Sequence, residues 1–195
     1  GVHGAASHLT VTNSTIIRCG FERYAQGGGF ALESAAIGSW NGRVLIANNF
    51  LIDCPIAIRT RVTVDGTTPN YASLITNNHI SRISGDGYAN EGIYIIDNAR
   101  NTKVSGNWIS GYLVCVYFGY GTATTLQSNS MISDNNIETQ DSVSAKGIYV
   151  AGQNGSQGGV SIKGNRITAP SGVAIDLANL RRMTLSGNDI HTGLH

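Results

Sequence analysis

The chain has 195 residues, a formal net charge of +1, 13% charged residues and 25 glycines. That length fits one domain with a continuous core, and the low net charge with many aliphatic residues argues against disorder. Arg181 and Arg182 are the one small basic cluster, so we expect no nucleic-acid partner. No run of 18 apolar residues is present, so we expect no membrane insertion.

One polar turn recurs along the chain in seven aligned segments, which are 9–16, 44–51, 73–80, 102–109, 130–137, 160–167 and 183–190. The second turn residue of each segment, the anchor, is Ser14, Asn49, Asn78, Asn107, Asn135, Asn165 or Asn188. The residue before each anchor is Asn, Asp or Gly, the types that tolerate a left-handed backbone. Side-chain amides at equivalent turns can hydrogen-bond along a stack, which predicts an asparagine ladder.

Aliphatic residues stand three before and two after every anchor, so each segment reads as a short strand, a bend and a second strand. A further set of strands lies between the anchors, at 29–33, 55–59, 92–96, 113–117, 147–151 and 172–176. Strict alternation would place Ile56, Val114 and Val173 inward together with the aliphatic residue two positions later. Long and short connections alternate before these strands from coil to coil. We therefore predict an all-β parallel β-helix of about seven coils.

The left-handed residue followed by stacked Asn resembles the right-handed parallel β-helix of the pectate-lyase superfamily, over roughly residues 9–190. That superfamily includes polysaccharide lyases, polygalacturonase-like hydrolases and phage tailspike proteins. The lyase and polygalacturonase motifs are not found here, so the resemblance points most to a tailspike shaft. Right-handedness follows from the resemblance and from the usual hand of parallel connections. We expect residues 1–195 to be a single β-helix domain without its end caps, as part of a longer chain.

The resemblance implies a polysaccharide depolymerase, a glycoside hydrolase or lyase acting on bacterial surface polysaccharide, located in a virion tail or outside the cell. It also implies a homotrimer. The alternatives are a non-catalytic carbohydrate-binding or receptor-binding shaft and a structural spacer. Rising reducing ends would indicate hydrolysis, and an unsaturated product would indicate a lyase.

Glycosidic hydrolysis uses two carboxyl groups, so the catalytic candidates are the acids near the outward face of the second strand set, Glu33, Glu91, Asp97 and Asp176. The candidates for substrate binding are Arg59, Tyr94, Tyr117 and Tyr149. Each acid can equally be a solvated surface residue. Arg59 can instead form an ion pair with Glu33 of the adjacent coil, and the tyrosines can pack beneath loops or against a subunit.

A second aromatic column follows the anchors, with Phe50, His79 and Trp108 on consecutive coils. We expect this exposed patch to be a subunit contact, with sugar binding as the alternative. Cys19, Cys54 and Ile83 stand at one equivalent position, which predicts a column of buried side chains with free thiols. The five histidines lack the spacing of metal ligands, so we expect neither a metal nor a cofactor.

Overall fold

The structure, a computed structural model, describes residues 1–4, 8–19, 35–40, 43–62, 73–83, 91–97, 101–119, 129–151, 159–180 and 182–193. The described strands form three parallel sheets of seven strands each. Each coil contributes one strand to sheet A, then one to sheet B and one to sheet C, and the next coil lies in register beside it. The fold is the predicted right-handed parallel β-helix of about seven coils.

Sheet A is built from β1 (Val2–Gly4), β4 (Ala35–Trp40), β7 (Ile56–Val62), β10 (Glu91–Asp97), β13 (Val114–Gly119), β16 (Lys146–Ala151) and β19 (Val173–Ala178). Sheet B is built from β2 (His8–Thr12), β5 (Arg43–Ala47), β8 (Ser73–Thr76), β11 (Lys103–Ser105), β14 (Ser130–Ser133), β17 (Val160–Lys163) and β20 (Met183–Ser186). Sheet C is built from β3 (Thr15–Ile17), β6 (Phe50–Ile52), β9 (His79–Ser81), β12 (Trp108–Tyr112), β15 (Asn136–Thr139), β18 (Arg166–Ala169) and β21 (Asp189–Thr192).

The polar turn between sheets B and C has the predicted backbone. All seven residues before the anchors have a positive φ, between 53° at Asn13 and 66° at Gly106. The asparagine ladder is also present: Asn49 Nδ2 donates to Asn78 Oδ1 at 2.9 Å, and the same contact repeats down to Asn188. Each Nδ2 from Asn49 to Asn188 also donates to a backbone carbonyl of the preceding coil. The ladder therefore satisfies polar groups that the turn places inside the stack.

The interior is filled by columns of aliphatic side chains that run along the sheets. Ile109 of sheet C pairs with Ile137, which pairs with Ile167, and all three are fully buried. Ile46, Ile75 and Val104 form the corresponding column in sheet B. The aligned Leu185 and Ile190 of β20 and β21 are exposed, because the described residues place no further coil over them.

The predicted alternation in sheet A is confirmed only in part. Ile93, Ile95, Ile148 and Val150 are buried as predicted. Val114, however, is only partly buried and Val173 is 46% exposed, because two consecutive residues such as Cys115 and Val116 face inward instead. Ile56 is buried, but it packs with Tyr94 outside the main core. The extra inward position is occupied by small residues because the next coil lies close. A Cβ at Gly92, for example, would lie 2.7 Å from the carbonyl oxygen of Cys115.

The strand of sheet A in the second coil also differs from the predicted one. It is β4, Ala35–Trp40, rather than 29–33, and its Gly38 pairs with Arg59. Residues 20–34 lie outside the described part of the chain. Glu33 therefore does not occupy the position next to Arg59 in the sheet. The sequence did not reveal that the strand begins at Ala35, because no glycine, proline or asparagine stands directly before it.

Candidate functional site

The outward face of sheet A carries two columns of side chains in register, and we call this surface the sheet A face. The first column contains Arg59, Tyr94, Tyr117, Tyr149 and Asp176, in the order of the coils. The second column contains Ile56, Glu91, Val114, Lys146 and Val173. Each column follows from the parallel pairing, which places equivalent residues of successive coils side by side.

The three tyrosines form a continuous stack. The rings of Tyr94 and Tyr117 are 4.6 Å apart and nearly parallel, and those of Tyr117 and Tyr149 are 4.8 Å apart. Arg59 Cζ lies 5.2 Å from the centre of the Tyr94 ring, and Lys146 Nζ lies 3.8 Å from that of Tyr149. Neighbouring rings and cations cover the faces of the tyrosine rings along the stack. A ligand can therefore contact only the ring edges and the hydroxyl groups.

Access to this stack differs from one end to the other. Arg59 is 3% exposed and Tyr94 is also buried, whereas Tyr117 and Tyr149 are partly exposed. Burial, together with the neighbouring Tyr94 and Tyr149, raises the pKa of Tyr117 to about 12. The Tyr117 hydroxyl therefore stays protonated at neutral pH and can donate a hydrogen bond.

Glu91 holds the most unusual carboxyl group on the sheet A face. Burial raises its pKa, and the cations of Arg59 and Arg82 lower it by less. Its Oε2 atom is buried and has no hydrogen-bond partner in the described part of the chain. A carboxylic acid in such surroundings holds its proton to higher pH than an exposed one, which is the property of a proton donor.

Asp176 has a different environment, although it belongs to the same face. Its Oδ2 atom lies 2.7 Å from Lys146 Nζ, and both side chains are partly exposed. Three coils separate Asp176 from Glu91, a distance of about 14 Å at the usual strand spacing. That distance is too long for the two carboxyl groups of a glycosidase, which lie about 5–10 Å apart.

The remaining two predicted acids do not complete a pair within the described residues. Asp97 ends the strand that Glu91 begins, so their backbones are about 20 Å apart along β10. The side chain of Asp97 and all of Glu33 lie outside the described part of the chain. The structure therefore separates Glu91, Asp97 and Asp176 instead of bringing them together.

Two cations of this region were not singled out from the sequence. Lys146 occupies the same column as Glu91, so a register alignment of the strands would have found it. Arg82 directly follows β9 and influences Glu91 from the connection between sheets C and A. Arg82 lies four residues after its anchor, as Arg18 and Asp53 do, but only the folded chain shows its proximity to Glu91.

Sheet C carries the second aromatic column on its outward face, and we call Phe50, His79 and Trp108 the aromatic stripe. The ring centres of Phe50 and His79 are 5.6 Å apart, and those of His79 and Trp108 are 5.1 Å apart. Phe50 is 53% exposed and Trp108 is 50% exposed. The predicted column of exposed aromatic residues is thus confirmed, while its role as a subunit contact stays a prediction.

The cysteines are free thiols, as predicted. Cys54 and Cys115 are buried, and burial raises their pKa values to about 11 and about 12. Cys19 donates its backbone N–H to Cys54 Sγ at 3.3 Å, so the two residues do stack. The predicted buried column is right only for Cys54, because Cys19 is partly exposed and Ile83 is 84% exposed where the chain leaves the coil after β9.

Among the described residues, no helix is long and apolar enough to cross a bilayer. In the same part of the chain, no group of three or more His, Cys, Asp and Glu side chains is arranged to hold a metal ion. No protein-family model matches the chain, and no match is found among the curated proteins or the solved structures.

Proposed function

We propose that the protein contacts polysaccharide along the sheet A face and acts as a depolymerase, with Glu91 as the proton donor. The observation that carries this proposal is the buried carboxyl group of Glu91, whose pKa is raised and whose Oε2 atom lacks a described partner. A protonated carboxyl group can transfer its proton to the glycosidic oxygen of the leaving sugar. The bacterial surface polysaccharide, the virion or extracellular location and the homotrimer belong to the same proposal.

The accessible part of the sheet A face lies on the coils that follow Glu91, and it suits a sugar chain that extends from Glu91 in that direction. Tyr117 and Tyr149 present ring edges and hydroxyl groups, and the Lys146–Asp176 pair presents charged hydrogen-bonding groups. These groups can bind sugar hydroxyls, while Arg59 and Tyr94 hold the buried end of the stack. The second carboxyl group of a hydrolase would come from residues outside the described part or from another subunit.

A second candidate function is sugar binding without cleavage. The observation in its favour is that Asp176, the other acid described on the sheet A face, is three coils away from Glu91 and paired with Lys146. A surface without a second carboxyl group beside Glu91 can still position a polysaccharide through its hydroxyl and aromatic groups. The protein would then be a receptor-binding shaft.

Turnover separates the two functions. The intact chain is incubated with a panel of bacterial capsular and O-antigen polysaccharides, and new reducing ends are measured together with absorbance from unsaturated products. For a depolymerase we expect Glu91→Gln to lower the rate by about 10²-fold or more, because general acid catalysis contributes that much. The matched control is Glu138→Gln on sheet C, an exposed glutamate that should leave the rate unchanged.

Three outcomes are informative. Reducing ends that disappear in Glu91→Gln support the depolymerase. Unsaturated products would move the reaction to the lyase class and remove the need for a second carboxyl group. Binding that persists in Glu91→Gln, without turnover in either protein, would replace the depolymerase by the binding shaft.

A further inference from the structure

We propose that the aromatic stripe of sheet C is a second carbohydrate-binding surface, specific for an uncharged sugar chain that runs along the β-helix axis. The stripe lies on a different sheet from Glu91 and the tyrosine stack, so the proposal does not depend on the proposed function. It also differs from the subunit contact expected from the sequence, and the geometry of the stripe is the reason.

The rings of the stripe are accessible in a way that the tyrosine rings are not. Phe50 and His79 are inclined by 33° and His79 and Trp108 by 57°, whereas Tyr94 and Tyr117 are inclined by only 2°. Tilted rings cover one another less than parallel rings do, and half of the surface of Phe50 and Trp108 is open to solvent. Part of the ring surface of Phe50 and Trp108 is therefore free to stack against the C–H face of a pyranose.

The groups beside the stripe are those that bind sugar hydroxyls. Ser81 and Ser110 follow in the next outward positions of β9 and β12 and are partly exposed. On the other side of the turn, the partly exposed Thr76 donates its Oγ1–H to the Ser105 carbonyl at 2.8 Å. None of the outward positions of β6, β9 and β12 beside these rings carries a formal charge at neutral pH. A surface of aromatic rings and hydroxyl groups without charges favours an uncharged sugar over an acidic one.

The size of the stripe favours a sugar chain over a second copy of the protein. It is one column wide and three coils high, which corresponds to about 100 Å² from the strand spacing and the two-residue repeat of a strand. A stable protein–protein interface buries about 800 Å² on each partner. Beyond the stripe the same column continues with the polar residues Asn136, Arg166 and Asp189. A single polysaccharide chain, one sugar residue wide, covers this area completely.

The direction of the chain follows from the stacking of the coils. Successive rings are one coil apart, about 4.8 Å, which is close to the length of one sugar residue in an extended polysaccharide. Consecutive sugars can therefore meet Phe50, His79 and Trp108 in turn. A chain across the sheet would meet only one ring.

Affinity electrophoresis of the intact chain tests the proposal, in native gels that contain hydroxyethyl cellulose, dextran or polygalacturonate. We expect at least one of the two uncharged polysaccharides to retard the protein. We expect Trp108→Ala and Phe50→Ala each to raise the apparent dissociation constant by up to about tenfold. Met131→Ala, on the outward face of sheet B, is the matched surface control and should keep the wild-type retardation.

The proposal is overturned if neither uncharged polysaccharide retards the protein, or if Trp108→Ala migrates like the wild type. Sedimentation velocity of the same variants gives an independent check. If Trp108→Ala converts an oligomer into a smaller species, the stripe is a subunit contact and not a sugar platform. Far-UV circular dichroism of each variant confirms that the fold is retained.

Discussion

Asn78 binds Asn107 twice: its backbone N–H and its Nδ2 both donate to Asn107 Oδ1, each at 3.0 Å. Asn107 in turn donates from Nδ2 to Asn135 Oδ1 and to the carbonyl of Ile75. The side-chain amide of Asn107 therefore serves four polar groups of the two flanking coils, all in a buried position. The ladder thus joins neighbouring coils through side chains as well as through the sheets.

Replacing this amide should be costly. Asn107→Ala removes the acceptor of a buried backbone N–H and the donor to two buried oxygens, so we expect a loss of about 2–4 kcal/mol in the free energy of unfolding. Asn136→Ala is the matched control because Asn136 is an exposed asparagine of the same turn region. Urea titration followed by circular dichroism measures both. Equal midpoints for the two variants would contradict a stabilising ladder.

The left-handed turn residue should be equally sensitive to a side chain. Gly187→Ala is expected to cost about 1–2 kcal/mol, because the left-handed region is unfavourable for alanine and little else lies near the new Cβ. Gly106→Ala should cost more, because its Cβ would lie 2.5 Å from Asn77 Oδ1. Thermal melts compare the two variants. Combining Gly106→Ala with Asn77→Gly should recover the difference, and no recovery would exclude the clash as its cause.

Glu91 should make stability depend on pH. Because its pKa is higher in the folded protein than in the unfolded chain, the folded state holds more protons. Its contribution is therefore fully present below the ordinary carboxyl pKa of 4.5 and is lost as pH rises through the folded value. Glu91→Gln should remove this part of the loss of folding stability with rising pH. Urea midpoints between pH 4 and pH 8 measure it, with Glu138→Gln as the control, and parallel curves for wild type and Glu91→Gln would refute it.

The tyrosine stack should contribute through its rings more than through its hydroxyl groups. Tyr117→Ala removes two ring contacts, and we expect it to lower the free energy of unfolding by about 1–3 kcal/mol. Tyr117→Phe keeps both contacts and should stay close to the wild type. Urea unfolding gives the energies, and near-UV circular dichroism reports the stacked rings. A large loss of unfolding free energy in Tyr117→Phe would show that the hydroxyl group, and not the ring, stabilises the stack.

The three thiols should differ in reactivity. At pH 8 the native protein is expected to show one fast thiol with a disulfide reagent, from the partly exposed Cys19. Cys54 and Cys115 should react only on unfolding, because they are buried and their pKa values of about 11 and about 12 suppress the thiolate. Cys19→Ser should abolish the fast phase, whereas Cys115→Ser should preserve it. Two fast thiols would contradict the burial of Cys54.

The repeat made the coil architecture predictable from the sequence. The Asn, Asp or Gly before each anchor, the anchor itself and the flanking aliphatic residues all belong to one short segment, so the local pattern sufficed to find Ile109, Ile137 and Ile167 in register. Sheet A was less predictable. Its strands begin after connections of variable length, and no local feature distinguished Ala35–Trp40 from 29–33, which misplaced the neighbour of Arg59.

The candidate site was predictable only in part, because it depends on contacts between distant segments. The alignment of Tyr94, Tyr117 and Tyr149 follows from the repeat, and their stacking is its direct result. The raised pKa of Glu91 results from burial in the folded chain, and Arg82, which partly offsets the rise, lies in a connection outside the strands. The separation of Glu91 from Asp176 depends on counting coils, and the sequence alone did not exclude their pairing.

The amide contacts are nearly identical at Asn78, Asn107 and Asn135, so coils behave as interchangeable units. Removing the chain between two equivalent asparagines would leave each remaining amide with the same kind of donor and acceptor. A β-helix of this design can be lengthened or shortened in whole periods without redesigning its interior. Its reach is therefore adjustable independently of the surfaces that it carries.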